Sequence, residues 1–322
     1  MSSVPALKVM PHPERTEIAN FIRQVIAREL GHEPSAIDES KPLSRYGLDS
    51  ITAVMLTGEL EEWLKRPVSP DLLVEYKTID ALSGFLLDST PKSDVSQTEP
   101  EPEAAPWIRE PLSFKQKFVR NVTQGIWGAL LRVKIEGLER IPSTGPFIVT
   151  SNHLHKLDVV VLLRVIRRPV VFVVSEHMTD APVVSWYLRS LGKTIWVFRG
   201  EADRGALASS VAALTAGEIL AVAPEGRISR TGSLCKGQTG VAYVAMRAQV
   251  PLLPFVAWGQ ESIPEQLKRF RRPEVTIKVG TPIDPPKAGS RLPELEAYTE
   301  DLMRGMARML PESYRGVYAR SL

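Results

Sequence analysis

Phe147-Ile148-Val149-Thr150-Ser151-Asn152-His153-Leu154-His155-Lys156-Leu157-Asp158 is the stretch on which the fold turns. It opens with a short apolar run and passes at once into a polar turn carrying two histidines and an aspartate. A run of this length and β-branched character predicts a buried strand over residues 147–150. The same signature recurs at 170–174, 194–198, 219–223, 252–257 and 275–279, with helical stretches between the runs. Strands separated by helices predict an α/β domain with a largely parallel sheet.

The turn after the first run has its own chemistry. A histidine at a strand-to-helix turn is exposed, and an aspartate just over one helical turn later can hold its other ring nitrogen. That fixes the tautomer and raises the basicity of the imidazole, as a general base requires. With five histidines in 322 residues, one His-x4-Asp pair is weak evidence by itself. No serine or cysteine stands in a nucleophile elbow nearby, so a covalent acyl-enzyme is not indicated. Three further blocks follow. Residues 197–204 offer Arg199 and Arg204. Residues 224–230 read Pro-Glu-Gly-Arg-Ile-Ser-Arg, with Gly232 and Lys236 beyond, and residues 250–254 read Val-Pro-Leu-Leu-Pro. Arginines at strand ends beside a glycine suit an anionic phosphate. Each block alone reads equally well as a solvated loop.

In this order the four blocks, spread over roughly residues 110–310, resemble the glycerolipid acyltransferases, specifically the lysophosphatidic acid acyltransferases. The resemblance implies His153 as general base and Asp158 as its orienter. It also implies Arg199, Arg204, Glu225, Gly226 and Arg227 as binders of the acceptor's phosphate, and Pro251 as part of the acyl-side wall. Two departures stand out. Phe198 occupies a place where an aspartate often precedes the arginine, and Arg227 comes one residue early, as in some bacterial members. Both bear on the acceptor rather than on catalysis. His155 lacks an acid at the family spacing and is expected on a helix surface.

Residues 112–131 predict an amphipathic helix with Phe114, Phe118, Val122, Ile126 and Leu130 at strict i+4 spacing. Trp127 and Leu131 lie alongside, and Lys115, Lys117 and Arg120 fall on other faces. Such a ridge either packs on the α/β core or lies at a lipid headgroup boundary. A lipid-like acceptor favours the second.

Upstream the grammar changes. Residues 89–106, STPKSDVSQTEPEPEAAP, contain four prolines, scattered acids and no aromatic residue. They are expected to form a disordered linker, able to span up to roughly 50 Å if extended. Before it, Ile18, Phe21, Ile22, Val25, Ile26 and Leu30 make one apolar stripe, ended by Gly31. A polar loop with Pro34 and Pro42 leads to a second helix carrying Leu56, Leu60, Trp63 and Leu64, closed by Pro67, and two shorter helices follow. The expected domains are 10–88, a four-helix bundle; 89–106, the linker; and 107–322, the α/β domain.

Within the bundle, Gly47-Leu48-Asp49-Ser50-Ile51 puts a serine hydroxyl at a helix start, where free N–H groups favour an anionic substituent. With the acidic Glu59, Glu61 and Glu62 behind it, the segment from about 14 to 88 resembles an acyl carrier protein. That resemblance implies a 4′-phosphopantetheine arm on Ser50, a phosphopantetheinyl transferase and an acyl-loading enzyme as partners, and an acidic helix that docks them.

Charge divides along the same boundary. Residues 1–90 hold 9 Lys/Arg against 14 Asp/Glu, residues 91–106 hold 1 against 4, and residues 107–322 hold 30 against 19. The basic part carries no nucleic-acid motif; an anionic membrane surface and an acidic carrier account for it better. The lone cysteine, Cys235, excludes an internal disulfide and any multi-cysteine metal site, and no metal is expected. No run of about 18 apolar residues exists, and the N-terminal MSSVPALKVMPHPERTE lacks an apolar signal core. The expected location is cytoplasmic, against the inner face of a membrane. Together the two resemblances imply transfer of a fatty acyl chain from a phosphopantetheine thioester to a lysophosphatidic-acid-like hydroxyl. The thioester would sit on the chain's own carrier, a free carrier or coenzyme A. The same chemistry on a polyketide, sugar or amino-lipid hydroxyl, or a non-catalytic carrier scaffold, are the alternatives.

Overall fold

A seven-stranded sheet spanning β1 (Arg132–Glu136) to β7 (Glu274–Val279) organises the C-terminal part of the computed structural model. Between them lie β2 (Phe147–Ser151), β3 (Val170–Ser175), β4 (Lys193–Val197), β5 (Ile219–Val222) and β6 (Leu252–Trp258). The strand order is β1-β7-β6-β2-β5-β3-β4. Every neighbouring pair is parallel except β6–β7. The structure describes residues 13–30, 33–46, 50–66, 68, 71–88, 107–108, 111–175, 182–197 and 204–320. The expected linker at 89–106 lies outside the described residues.

Alternation along β2 explains the two cores. Phe147 and Val149 face one side of the sheet and Ile148 the other, all fully buried. The first side is covered by α5 (Phe114–Leu130), α6 (Asp158–Leu163), α7 (Pro182–Leu191) and α10 (Ile263–Lys268). The second is covered by α8 (Arg204–Thr215), α9 (Gly240–Ala248) and α11 (Leu292–Met309). Helices on both faces are what a mainly parallel sheet needs to remove its apolar strands from water. Edge strand β1 was not among the expected runs. Its sequence, Arg-Val-Lys-Ile-Glu, alternates charged and apolar residues and stays half-exposed, so it carries no continuous apolar signal.

Helix α5 is amphipathic in the inverse sense to a core-packing helix. Its polar stripe faces the domain. Gln116 Nε2 donates to Arg189 O at 3.2 Å, Arg120 Nη2 to Ile166 O at 2.6 Å, and Gln124 Nε2 to Leu163 O at 3.0 Å. The ridge expected from the i+4 spacing points outward instead: Phe114 is 86% exposed, Phe118 60% and Ile126 52%. Val119 and Trp127 supply the apolar contact with the core. Among the described residues no helix is long and apolar enough to cross a membrane.

The chain divides into two units, residues 1–101 and 102–322. The first is helical, with α1 (Arg15–Leu30), α2 (Ser50–Leu64), α3 (Asp71–Glu75) and α4 (Ile79–Asp88). Ile18, Ile22, Val25 and Ile26 of α1 close on Leu56 and Leu60 of α2 and on Leu82 and Leu86 of α4. Trp63, at the rim, stacks on Phe21 with ring centroids 4.5 Å apart. The acidic cluster behind Ser50 is partly spent inside the bundle: Glu59 pairs with Arg28, and Glu61 accepts the main-chain N–H of Val68 at 2.9 Å.

Candidate active site

Strands β6, β2 and β5 lie side by side at the middle of the sheet, and their C-terminal ends open on one side. In α/β sheets this is where ligands bind. Three loops meet there: 152–157 after β2, 224–238 after β5, and 259–262 after β6.

Asn152 sets the first loop. Its side chain is buried and imitates a peptide group. Nδ2 donates to Ala257 O and Oδ1 accepts from Ala257 N, both at 2.9 Å, adding one rung to the β2–β6 pairing. The chain therefore leaves β2 in a fixed direction at His153. The His153 carbonyl accepts from Ser229 N at 2.8 Å, and its N–H donates to Glu225 Oε1 at 2.9 Å.

The His153 ring meets Asp158, with Nδ1 and Oδ2 2.7 Å apart. A carboxylate can only accept, so Nδ1 carries the hydrogen and Nε2 keeps its lone pair. The imidazole is 30% exposed, whereas the carboxylate is 14% exposed. The expected spacing works for a reason other than helical periodicity. Asp158 is the first residue of α6, and its carboxylate closes the turn before the helix. Oδ2 accepts from Leu154 N at 2.9 Å, both oxygens lie 3.2 Å from His155 N, and Oδ1 accepts from Gln260 Nε2 at 3.1 Å. His155 is consequently in the turn, not on a helix surface. Its Nδ1 accepts from Leu157 N at 3.3 Å, which leaves Nε2 as the protonated nitrogen, unfit to take a proton.

Glu225 corrects one role implied by the family resemblance. It is 3% exposed, and its two oxygens accept from His153 N at 2.9 Å and Cys235 N at 2.8 Å. Burial pushes its carboxyl above the usual range, partly offset by those two N–H donors. A buried, fully engaged carboxylate repels a phosphate. Glu225 instead brackets the His153 turn to the 224–238 loop. Gly226 has φ +64, a conformation that glycine adopts without strain, and donates to Ala223 O at 3.0 Å. Arg227 is exposed, as are Arg230 and Lys236 on the same loop, and none forms an ion pair with a described residue. All three belong to the loop that Ser229 and Glu225 tie to the His153 backbone.

Pro251 stands away from the His153 turn. It precedes β6, and its carbonyl accepts from Ile148 N, at the start of β2. His153 follows the other end of β2, five residues beyond Ile148, so at the strand rise the two stand on the order of 15–20 Å apart along the sheet. The residues of the β6 side that reach the site are Ala257 and Gln260. Arg199 lies outside the described residues. Arg204 is the first residue of α8, and its side chain lies outside them. Among the described residues no group of three His, Cys, Asp or Glu is placed to hold a metal ion.

Residues 132–258 match the family model described as acyltransferase, and residues 20–86 match that described as phosphopantetheine attachment site. The chain joins a carrier domain to an acyltransferase domain. The 1-acyl-sn-glycerol-3-phosphate acyltransferase alpha of Ovis aries is 25% identical over 189 residues, which are 56% of this chain and 64% of that protein. The chain thus spans just under two thirds of the length of this curated relative. Polyketide synthase PksN of Bacillus subtilis is 28% identical over 106 residues, 33% of this chain and 2% of that protein. The structure of the 1-acyl-sn-glycerophosphate acyltransferase PlsC from Thermotoga maritima aligns with TM-score 0.47 at 28% identity, covering 60% of this chain and 79% of that one.

In the carrier domain Ser50 is the first residue of α2, and the first turn of that helix holds no acidic residue. The positive end of the helix dipole favours an anionic substituent such as a phosphodiester there. Gly47 and Asp49 lie outside the described residues.

Two residues of the acyltransferase domain escaped the sequence reading. Asn152 stood in the quoted stretch but has no pattern that separates a strand-extending amide from a solvated one. Gln260 is 102 positions from Asp158, and only the β2–β6 pairing brings them together.

Proposed function

We propose that the acyltransferase domain transfers a fatty acyl chain to the hydroxyl of a lysophosphatidic-acid-like acceptor. The observation that carries this reading is the 2.7 Å contact between His153 Nδ1 and Asp158 Oδ2, which leaves Nε2 as a partly exposed base at the C-terminal end of the central strands. When bound at Ser50, the phosphopantetheine arm supplies the acyl group as a thioester. His153 Nε2 takes the acceptor's proton as the hydroxyl oxygen attacks the acyl carbonyl, and Asp158 holds the ring and stabilises the imidazolium. The new C–O ester bond forms, the C–S bond breaks, and His153 returns the proton to the departing sulfur. A thiol of ordinary pKa near 8.5 leaves without strong acid assistance. Arg227, Arg230 and Lys236, exposed and without acid partners among the described residues, are suited to an acceptor phosphate. A phosphopantetheinyl transferase and an acyl-loading enzyme are the partners this scheme requires, and a bilayer met by the outward ridge of α5 is the source of acceptor.

Similarity to a polyketide synthase supports a second reading, in which the acceptor is a polyketide, sugar or amino-lipid hydroxyl of a specialised pathway. The experiment that separates the two is mass spectrometry of products after the acyl-loaded protein meets each acceptor in turn. Acylation of lysophosphatidic acid supports the first reading; acylation of the other hydroxyls alone replaces it. No product with any of them, together with an intact thioester, leaves only the scaffold.

A further inference from the structure

A cavity of about 820 Å³ lies under the N-terminal half of α5, lined by Lys117, Arg120, Asn121, Arg164, Arg167 and Glu218 among others. Its position separates it from the site above. Arg167 lies just before β3, and Glu218 immediately precedes β5, so the cavity opens at the N-terminal edge of the sheet, whereas His153 follows the C-terminal end of β2.

The charge of this cavity is unbalanced. Its acid, Glu218, is bridged to Lys193 at 3.1 Å. Lys117, Arg120, Arg164 and Arg167 form no ion pair with any described residue. Arg120 is 4% exposed and gives Nη2 to two carbonyls, Ile166 O and Arg168 O, while Nη1 is buried without a partner. Arg164 spends Nη1 on Gln124 O at 3.1 Å and leaves Nε buried without a partner. Burial pushes the Arg120 guanidinium's pKa down, the mark of a cation short of compensation. The two unspent nitrogens have no open surface themselves, so what the cavity offers an anion is the uncompensated charge of the guanidinium groups lining it together with the exposed Lys117 and Arg167. The neighbourhood adds an apolar component. Lys117 and Asn121 share α5 with the exposed Phe114, Phe118 and Val122, so a ligand here meets cations on one side and an apolar ridge on the other.

We propose that this cavity holds the phosphate of an anionic phospholipid, anchoring the N-terminal end of α5 to the bilayer at a place distinct from the catalytic turn. The inference rests on the ridge as a bilayer contact and adds a headgroup site to it.

The test uses the full-length protein and vesicles of phosphatidylcholine, with or without phosphatidylglycerol. A Lys or Arg near an anionic surface contributes about 1 kcal/mol, so neutralising two costs on the order of thirtyfold in partition. Arg167→Gln/Lys117→Gln is expected to bring binding to phosphatidylglycerol vesicles down to the phosphatidylcholine level. Asn121→Trp, which fills the cavity without changing charge, is expected to do the same. Lys268→Gln/Arg269→Gln, an equal charge loss elsewhere, is expected to keep the preference. Equal loss in that control, or an intact preference in Asn121→Trp, overturns the proposal in favour of diffuse attraction. If inorganic phosphate binds the wild type and Asn121→Trp abolishes this while sparing the lipid preference, the cavity takes free phosphate and the lipid assignment fails. Binding to phosphatidylglycerol vesicles but not to phosphatidylcholine overturns the ridge reading on which the proposal rests, whereas an intact preference in the cavity variants overturns the proposal alone.

Discussion

Gln260 Nε2 lies 3.1 Å from Asp158 Oδ1, so the carboxylate that orients His153 is itself oriented from the end of a neighbouring strand. Gln260 is fully buried and also donates to Ala257 O at 3.2 Å. It touches no reacting atom and is a positioning residue. Gln260→Ala is expected to lower kcat with KM little changed, by on the order of 10–100-fold, as for other groups that orient a catalytic side chain. Gln260→Glu sets a second carboxylate beside Asp158. The added negative charge favours the imidazolium, so the acidic limb of the pH–rate profile moves to higher pH. A profile unmoved in both variants would show that Gln260 only packs.

The second prediction concerns the base. His153→Ala is expected to cost on the order of 10²–10⁴ in rate, and Asp158→Asn somewhat less, with both variants folded by circular dichroism. His155→Ala is expected to keep most activity, because its ring already accepts the Leu157 N–H. An inactive His155→Ala beside an active His153→Ala would reverse the assignment.

Glu225 has two buried main-chain donors to satisfy. Glu225→Gln keeps the size but turns an NH₂ group toward one of them, leaving a buried donor unpaired at a cost of about 1–3 kcal/mol. The expected outcome is a melting temperature lower by several degrees, together with reduced turnover. Arg227→Gln, at an exposed position, is expected to leave the melting temperature unchanged and raise KM for a phosphorylated acceptor. Loss of acceptor affinity in Glu225→Gln at unchanged stability would return Glu225 to the phosphate site.

The carrier domain gives a direct mass test. Incubation with a phosphopantetheinyl transferase and coenzyme A is expected to add one phosphopantetheine to the wild type and nothing to Ser50→Ala. An equal gain in the variant would place the arm elsewhere.

The α5 ridge gives a partition test. Burying a Phe side chain contributes roughly 1.5–3 kcal/mol, so removing two from a bilayer contact costs at least about a hundredfold in binding. Phe114→Glu/Phe118→Glu is expected to lose binding to phosphatidylcholine vesicles while staying folded. The polar stripe of Gln116, Arg120 and Gln124, which fastens α5 to the domain, is untouched by this change. Binding equal to the wild type would mean that the ridge faces something other than lipid.

The sequence made the central strands legible because each is buried on both faces and therefore reads as an unbroken apolar run. It left β1 silent because that strand alternates charged and apolar residues. The His153–Asp158 pairing was legible as spacing, although the cause is a closed turn rather than a helix. The role of Glu225 was misread, and the distance of Pro251 from the His153 turn was not legible, for one reason. Proximity to a motif in the chain does not say whether a side chain points into solvent or inward, or which end of a strand it occupies. Asn152 and Gln260 were out of reach, since their partners come from pairing between β2 and β6. The direction of the α5 ridge was undecided until the polar stripe was seen to make the contacts with the domain.

Cys235 meets the site through its main-chain N–H, which Glu225 accepts, while its thiol lies 3.9 Å from Ser229 Oγ and from Ser233 O. A serine there keeps the N–H and a side-chain donor of similar size. As this is the chain's single cysteine, the substitution yields a protein whose own side chains contain no thiol. Any sulfhydryl then found on it belongs to the prosthetic arm, and a thiol-directed fluorophore becomes a reporter of how far each molecule has been primed, loaded or discharged.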